Sequence, residues 1–413
     1  DESMFAVNAY EMIQNGDYFS FTFDNKADLF NSKPPLTVWL QVVSIKFFGY
    51  TELALRLPSA FASAATVLLV FHFLSNTYSR LSVSSTIAIL LTSAGFVTFH
   101  ASRTADSDAL LTFFLTASVI AFINFIIHQK PKYVLLFFIA LTLAFATKSL
   151  ASLLFLPAVL VVLLKFKSLK LFVFNWYFIV GISLFISTVT LLLLAREHQQ
   201  TGYISTFISN DAGRIFSSNQ NDINSTFYYV DILFKQHFSW WIIPFLLGGL
   251  FVFKTPKDQE KSLMLICLIF ICSFLAIISF SADKHSWYDV PLFPLLAIIS
   301  GYGIYRFIHG LKNENQETTC LHSYLILGLI TVYPIAISIG QSFSNYIPPG
   351  EKKLEANELF IHQNMQHNKN LDGITVFHHG WKGSLLFYKY KLAEYEFEKE
   401  TISKIDSLQI VKE

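Results

Sequence analysis

Charge is scarce in this sequence. Asp, Glu, Lys and Arg together make up 14% of its 413 residues, against about a quarter in soluble globular proteins. That shortage excludes an ordinary water-soluble fold. Cysteine is scarce as well. Cys267, Cys272 and Cys320 are the full set; three thiols exclude a disulfide framework, and the first two lie in an apolar run where a thiol is simply a small hydrophobe. No basic tract with interleaved aromatics occurs, so no nucleic-acid partner is expected. A Gly-rich phosphate loop and a nucleophile elbow are missing too. The pair His378-His379 lacks further ligands at metal spacing.

What is present is apolar. Hydrophobic residues make up 53% of the chain, 43 of them Phe, and the mean hydropathy is +0.47. A membrane helix needs about 20 mostly apolar residues. Ten stretches qualify or nearly do: roughly 57–77, 83–100, 108–128, 133–147, 149–164, 171–194, 239–253, 263–281, 289–306 and 323–342. The pair on either side of Lys148 is short and reads as bent or partly re-entrant. The stretch 35–48, broken by Lys46, reads as an interfacial helix.

Charge in the short loops orients these spans. The loops 79–82, 129–132, 165–170, 254–262 and 307–322 carry mostly Lys and Arg and read as cytoplasmic. The alternate set (1–56, 101–107, Lys148, 195–238, 282–288 and 343–413) is longer, mixed in charge and rich in Asp, Asn, Tyr and Trp. It reads as extracytoplasmic. The expected architecture is an all-α polytopic membrane protein. A first outer loop (1–56) precedes the transmembrane domain (57–342), and a small outer α/β domain (343–413) follows it, with a helix near 354–366 and strands near 373–378 and 384–390. The plasma (inner) membrane is the expected location.

The outer set also holds the residues suited to chemistry. Arg103 and Asp108 enter a span at its outer end, where such charges face a cavity or each other, although Asp is also an ordinary helix cap. Lys148 interrupts apolar sequence, and it either snorkels or meets a lipid phosphate. Lys284 and Tyr288 flank His285-Ser286-Trp287, which reads either as an interfacial anchor or as a phosphate site. Asp1, Glu2, Asp17 and Lys33 share the first outer loop. A carboxylate at an apolar interface can serve as a base, and a nearby lysine supplies a point charge for phosphate.

These residues occur in an order that resembles a known family. Asp1-Glu2, Gly16-Asp17-Tyr18, Lys33-Pro34-Pro35-Leu36 with Trp39, and Glu52 through Arg56 to Pro58-Ser59 resemble the first outer loop of GT-C glycosyltransferases. Within that group the similarity is to the protein mannosyltransferase and lipid A aminoarabinose transferase branch. Arg103 with Asp108, Thr147-Lys148-Ser149 before Pro157, and Tyr288 before Pro294 extend it over about residues 1–300.

The resemblance implies inverting transfer of a sugar from a polyprenyl-phosphate donor to a membrane lipid, glycan or protein acceptor. It implies Asp1 as the catalytic base. It implies Lys33, Arg103, Lys148, Lys284 and Tyr288 as ligands of the donor phosphate, with Glu2, Asp17 and Asp108 in support. It also implies a membrane helix directly before Asp1.

Ser32 stands where the aminoarabinose transferases have a metal-associated Glu, and Phe5 where they have Tyr. Asn219-Gln220-Asn221-Asp222 stands where they have His. Reaction type is therefore supported further than sugar or zinc, and a divalent metal stays open. The alternative is a multi-span transporter or flippase of a lipid-linked or polar solute. Internal repeats and paired Gly/Pro-broken helices, which would favour it, do not appear.

Overall fold

The computed structural model describes residues 2–97, 100–213, 225–255, 259–310, 320–343, 375–378, 382–398 and 409–412. Asp1, the 219–222 stretch and the expected helix near 354–366 lie outside these residues.

Long apolar sequence folds here as helix because a helix satisfies its own backbone polar groups without water. After α1 (Glu2–Asn15) and the hairpin β1 (Thr22–Phe23) and β2 (Lys26–Ala27) come α2 (Leu36–Phe48) and α3 (Glu52–Ser75). The Thr51 hydroxyl caps α3 by accepting from Ala54 N at 3.1 Å. The bundle continues with α4 (Arg80–Thr92), α5 (Asp108–His128), α6 (Lys132–Lys148), α7 (Leu156–Lys165) and α8 (Trp176–Gln199). It closes with α9 (Ile242–Lys254), α10 (Gln259–Phe280), α11 (Phe293–Gly310) and α12 (Cys320–Phe343).

Among the described residues, six helical runs are long and apolar enough to cross a membrane. The bent pair Tyr228–His237 and Ser239–Lys254 makes a seventh if it is one span. Three features account for the difference from ten. The run Lys132–Lys165 is continuously helical over 34 residues, so its two halves, folded back on each other at Ser149, stand as one run. α4 stops after 13 residues, because Ser93 turns extended and its hydroxyl donates back to Ile89 O at 2.6 Å. Within α12 the described residues supply a shorter apolar stretch, Leu327–Ile337.

The 34-residue run does not go straight through. Gln129 Nε2, just before it, donates to Ser168 Oγ, just after it, at 3.2 Å. Both ends of the run therefore meet at one end of the bundle, and Lys148 lies at the other. The alternation of loops between two ends read from the sequence holds here in the geometry. The compartments themselves are a separate matter.

Packing inside the bundle is aromatic. Phe122 lies 5.9 Å from Phe137, Phe172 and Phe270, and Phe125 lies 5.3 Å from Phe172 edge-on. Lipid offers no hydrophobic drive between helices, so small residues at close contacts matter more. α9 and α11 touch backbone to backbone: a Cβ on Gly303 would lie 2.2 Å from Pro244 O and 2.7 Å from Gly248 N.

In the C-terminal segment, β3 (Thr375–His378) pairs in parallel with β4 (Gln409–Lys412), which agrees with the strand expected near 373–378. The stretch 384–390, expected as a strand, is part of helix α13 (Gly383–Glu398). Its Tyr-Lys-Tyr-Lys alternation is overridden by docking on α1 and α3. Tyr390 Oη donates to Glu11 Oε1 at 2.7 Å and stacks on Tyr10 at 4.6 Å, while Lys391 Nζ reaches Glu52 Oε2 at 2.5 Å.

The α9–α11 contact is testable. Gly303→Ala is expected to lower thermal stability in detergent by about 1–3 kcal/mol, as overpacking does. Gly249→Ala, where a Cβ meets nothing within 4 Å, leaves the melting temperature unchanged or raised.

Candidate functional site

Two carboxylates one residue apart open α5. Asp106 and Asp108 are each 1% exposed, a placement that is costly unless both are paired. Each receives a lysine. Lys148 Nζ donates to Asp108 Oδ1 at 2.6 Å, and Lys33 Nζ lies 3.9 Å from Asp106 Oδ1. Asp106 also accepts from Ser107 N at 2.6 Å, and its Oδ2 lies 3.3 Å from His100 Nδ1. Burial alone would raise the Asp106 pKa. The Lys33 charge, the His100 contact and the Lys148 charge outweigh it and hold the carboxyl well below the usual carboxylate range.

Local backbone delivers the lysines. Lys33 ends a tight loop that Pro34-Pro35 converts into α2, and its ammonium sits 4.7 Å over the Phe5 ring. Lys148 is the last residue of α6. The next residue, Ser149, has φ +45° and ψ −128°, a strained backbone for a residue with a Cβ, and such strain gathers where surroundings over-determine a turn. Asp211 then ties the two segments together. It accepts from Ser32 Oγ at 3.1 Å and also from Ser149 Oγ. Two Lys/Ser pairs from distant parts of the chain thus share three carboxylates.

Beside them is a cavity of about 120 Å³, open to solvent. Lys33, Asp108, Lys148, Ser149, Asp211 and Tyr288 form its polar part; Leu111, Leu154, Phe274, Ile277 and Ile278 form its apolar wall. Lys148 Nζ lies 5.7 Å over the Tyr288 ring. The cavity is amphipathic, with two cations at its polar end.

Of the residues singled out in the sequence, Lys33, Asp108, Lys148 and Tyr288 meet here. Glu2 sits nearby, bound bidentately by Arg56 at 2.6 and 3.0 Å and accepting from Ala105 N at 3.1 Å. Asp108 pairs with Lys148 rather than Arg103, which is exposed and does not line the cavity. Lys284 donates to Ser281 O at 2.8 Å, behind a lining residue. Asp17 closes a turn, accepting from Phe19 N and Ser20 N at 2.9 and 3.2 Å. Burial opposes ionisation there, but the Ser20 hydroxyl and these amides keep its pKa low.

Sequence reasoning missed Asp106, Ser149, Asp211, His100 and Arg196. Asp106 was visible two residues before Asp108, and Ser149 stood in the Thr147-Lys148-Ser149 stretch; no local signal marks Asp211, His100 or Arg196.

His100, Asp106 and Asp108 present ligand atoms within 4.8 Å of one another, and Asp106 Oδ2 and Asp108 Oδ2 accept no hydrogen bond. The donor set is of the kind a divalent cation takes. Lys33 and Lys148 already neutralise the same two carboxylates, however, and two ammonium groups would crowd such a cation. As arranged, the cluster fits lysine pairing rather than a metal, and no chemical step is assigned to one.

The paired charges carry a stability consequence. Asp108→Asn is expected to cost up to about 3 kcal/mol by leaving the half-buried Lys148 unpaired, whereas Asp108→Asn with Lys148→Gln costs less; thermal melts in detergent compare them. The depressed pKa of Asp106 sets a pH window. Its stabilising contribution is complete above about pH 4, the unfolded-state range, and is lost as pH falls further through the lower folded value. In Asp106→Asn the acid-induced loss below pH 4 is correspondingly smaller than in the parent protein.

Residues 32–199 match the family described as dolichyl-phosphate-mannose-protein mannosyltransferase. The chain is 25% identical over 307 residues to an uncharacterized protein of Aquifex aeolicus (strain VF5), covering 73% of this chain and 58% of that one. It is also 25% identical over 311 residues to the undecaprenyl phosphate-alpha-4-amino-4-deoxy-L-arabinose arabinosyl transferase of Yersinia pestis (strain Pestoides F), covering 73% and 54%. The chain thus spans little more than half the length of these two relatives.

Among solved structures, ArnT from Cupriavidus metallidurans bound to undecaprenyl phosphate superposes with a TM-score of 0.70. That match is 17% identical and covers 94% of this chain and 80% of that one. The Archaeoglobus fulgidus oligosaccharyltransferase tethered to an acceptor peptide gives 0.54 at 12% identity, covering 94% and 59%. Residues 32–199 thus match the mannosyltransferase family, and the chain shares its fold with ArnT.

Proposed function

We propose that this protein transfers a sugar from a polyprenyl-phosphate donor to an acceptor at the extracytoplasmic face of the plasma (inner) membrane. The cavity carries this reading. Its apolar wall suits a polyprenyl chain, and its polar end offers Lys33, Lys148 and the Tyr288 hydroxyl to a phosphate. The undecaprenyl phosphate bound by ArnT supports the same reading, as does the gathering of buried charges at one end of the bundle rather than midway, which favours an interfacial enzyme over a transporter.

The reaction is a single displacement. An acceptor oxygen forms the new bond to the anomeric carbon while the bond from that carbon to the phosphate oxygen breaks, so configuration inverts. The acceptor proton passes to the Asp1 carboxylate. The phosphate leaves with the electron pair and needs positive charge more than a proton; Lys33 and Lys148 supply it in a site of low dielectric. Asp106 and Asp108 hold both ammonium groups in place until the phosphate arrives. Acceptors in keeping with the superfamily are membrane lipids, glycans and proteins.

Proteoliposomes supplied with polyprenyl-phosphate sugar test the proposal. Donor consumption should depend on the protein and should fall by about 10²–10⁴ in Asp1→Asn, the usual contribution of a general base, with folding unchanged. Lys148→Met should lose about 10²–10³. Retained turnover in Asp1→Asn removes Asp1 from the mechanism, and solute movement without donor consumption overturns the enzyme reading.

A further inference from the structure

Lys33 depends on a residue 163 positions away. Arg196, in the last turn of α8, is 1% exposed. Its Nη1 donates to Lys33 O at 2.7 Å and its Nη2 to Asn31 O at 2.6 Å, with Asp28 O at 3.4 Å. The guanidinium plane lies between two rings, 4.1 Å from Phe21 and 4.3 Å from Tyr203. Tyr203 Oη in turn donates to Ser32 O at 2.8 Å. The carbonyls of Asn31, Ser32 and Lys33 are therefore all held from behind by one Arg/Tyr pair.

A buried cation usually meets a carboxylate. The short partners of this one are backbone carbonyls of the loop that presents Lys33, so its charge stands directly behind the polar end of the cavity. The planar fork fits the carbonyls of Asn31 and Lys33 together, which a lysine ammonium cannot match, and the flanking rings fix its plane.

We propose that Arg196 is a positioning residue for the donor phosphate: clamped with Tyr203, it sets the 31–33 backbone so that Lys33 reaches the phosphate. This rests on the reading of the cavity as a lipid-phosphate site. The effect must therefore pass through Lys33, which distinguishes it from a general contribution to folding.

A double-mutant cycle on the full chain, purified in detergent and titrated with undecaprenyl phosphate, tests this. Arg196→Lys should weaken binding roughly tenfold, the loss of one charge-assisted hydrogen bond. In a Lys33→Met background the same change should weaken it less than about twofold. Tyr203→Phe keeps the ring, removes only the bond to Ser32 O, and should show a smaller effect with the same dependence on Lys33; it serves if Arg196→Lys does not fold. Equal weakening in both backgrounds, or normal binding by both variants, overturns the proposal. If Lys33→Met itself binds undecaprenyl phosphate normally, the lipid-phosphate reading fails and this inference fails with it.

Discussion

The contact on which the rest of this site depends is the ammonium of Lys148 against the carboxylate of Asp108, 2.6 Å apart in a place with almost no solvent. Neither charge is tolerable there alone. Together with Lys33 and Asp106, they form a set of two half-buried cations and two buried anions, and the fold is arranged around keeping it satisfied. α5 begins at the carboxylates, α6 ends at one lysine, and the loop before α2 ends at the other. On the proposed reading the same two lysines, which line the cavity, also face the donor phosphate.

Asp211 belongs to the same scheme by a different interaction. It gathers the hydroxyls of Ser32 and Ser149, each adjacent to one of the lysines. The lysines are thus fixed from their side chains by one pair of acids and from their neighbours by a third. That redundancy gives a physical reason for the strained backbone at Ser149: enough bonds converge on the turn to hold it away from its preferred conformation.

Much of this was legible in the sequence, and what was not shares one cause. Apolar length and loop charge were enough for the alternation of ends, because both are local properties; the Gln129–Ser168 contact returns the same grouping. Lys33, Asp108, Lys148 and Tyr288 stood out singly because a charge or phenol beside apolar sequence is conspicuous. Their pairing was not visible. Arg103 was the nearer partner for Asp108 along the chain, yet Lys148, 40 residues on, holds it. Arg196 and Asp211 carried no mark, since a polar residue near a helix end is ordinary until its carbonyl or hydroxyl partners are known. The helix at 383–398 was misread for the same reason: alternation suggested a strand, and docking on α1 decided otherwise.

The fold-back at Ser149 also bears on how the chain enters a bilayer. Between Lys132 and Lys165 the sequence carries a single formal charge, Lys148, and the hairpin places it at the turning point. A lone lysine in hydrocarbon costs about 2.5–3.5 kcal/mol on insertion scales, and here Lys148 is paired with Asp108 instead. The helix inserted just before, α5, has already brought a carboxylate to the same depth. The order of the helices along the chain therefore delivers the acid first and the base second, so the lysine emerges beside its counter-ion instead of waiting for one.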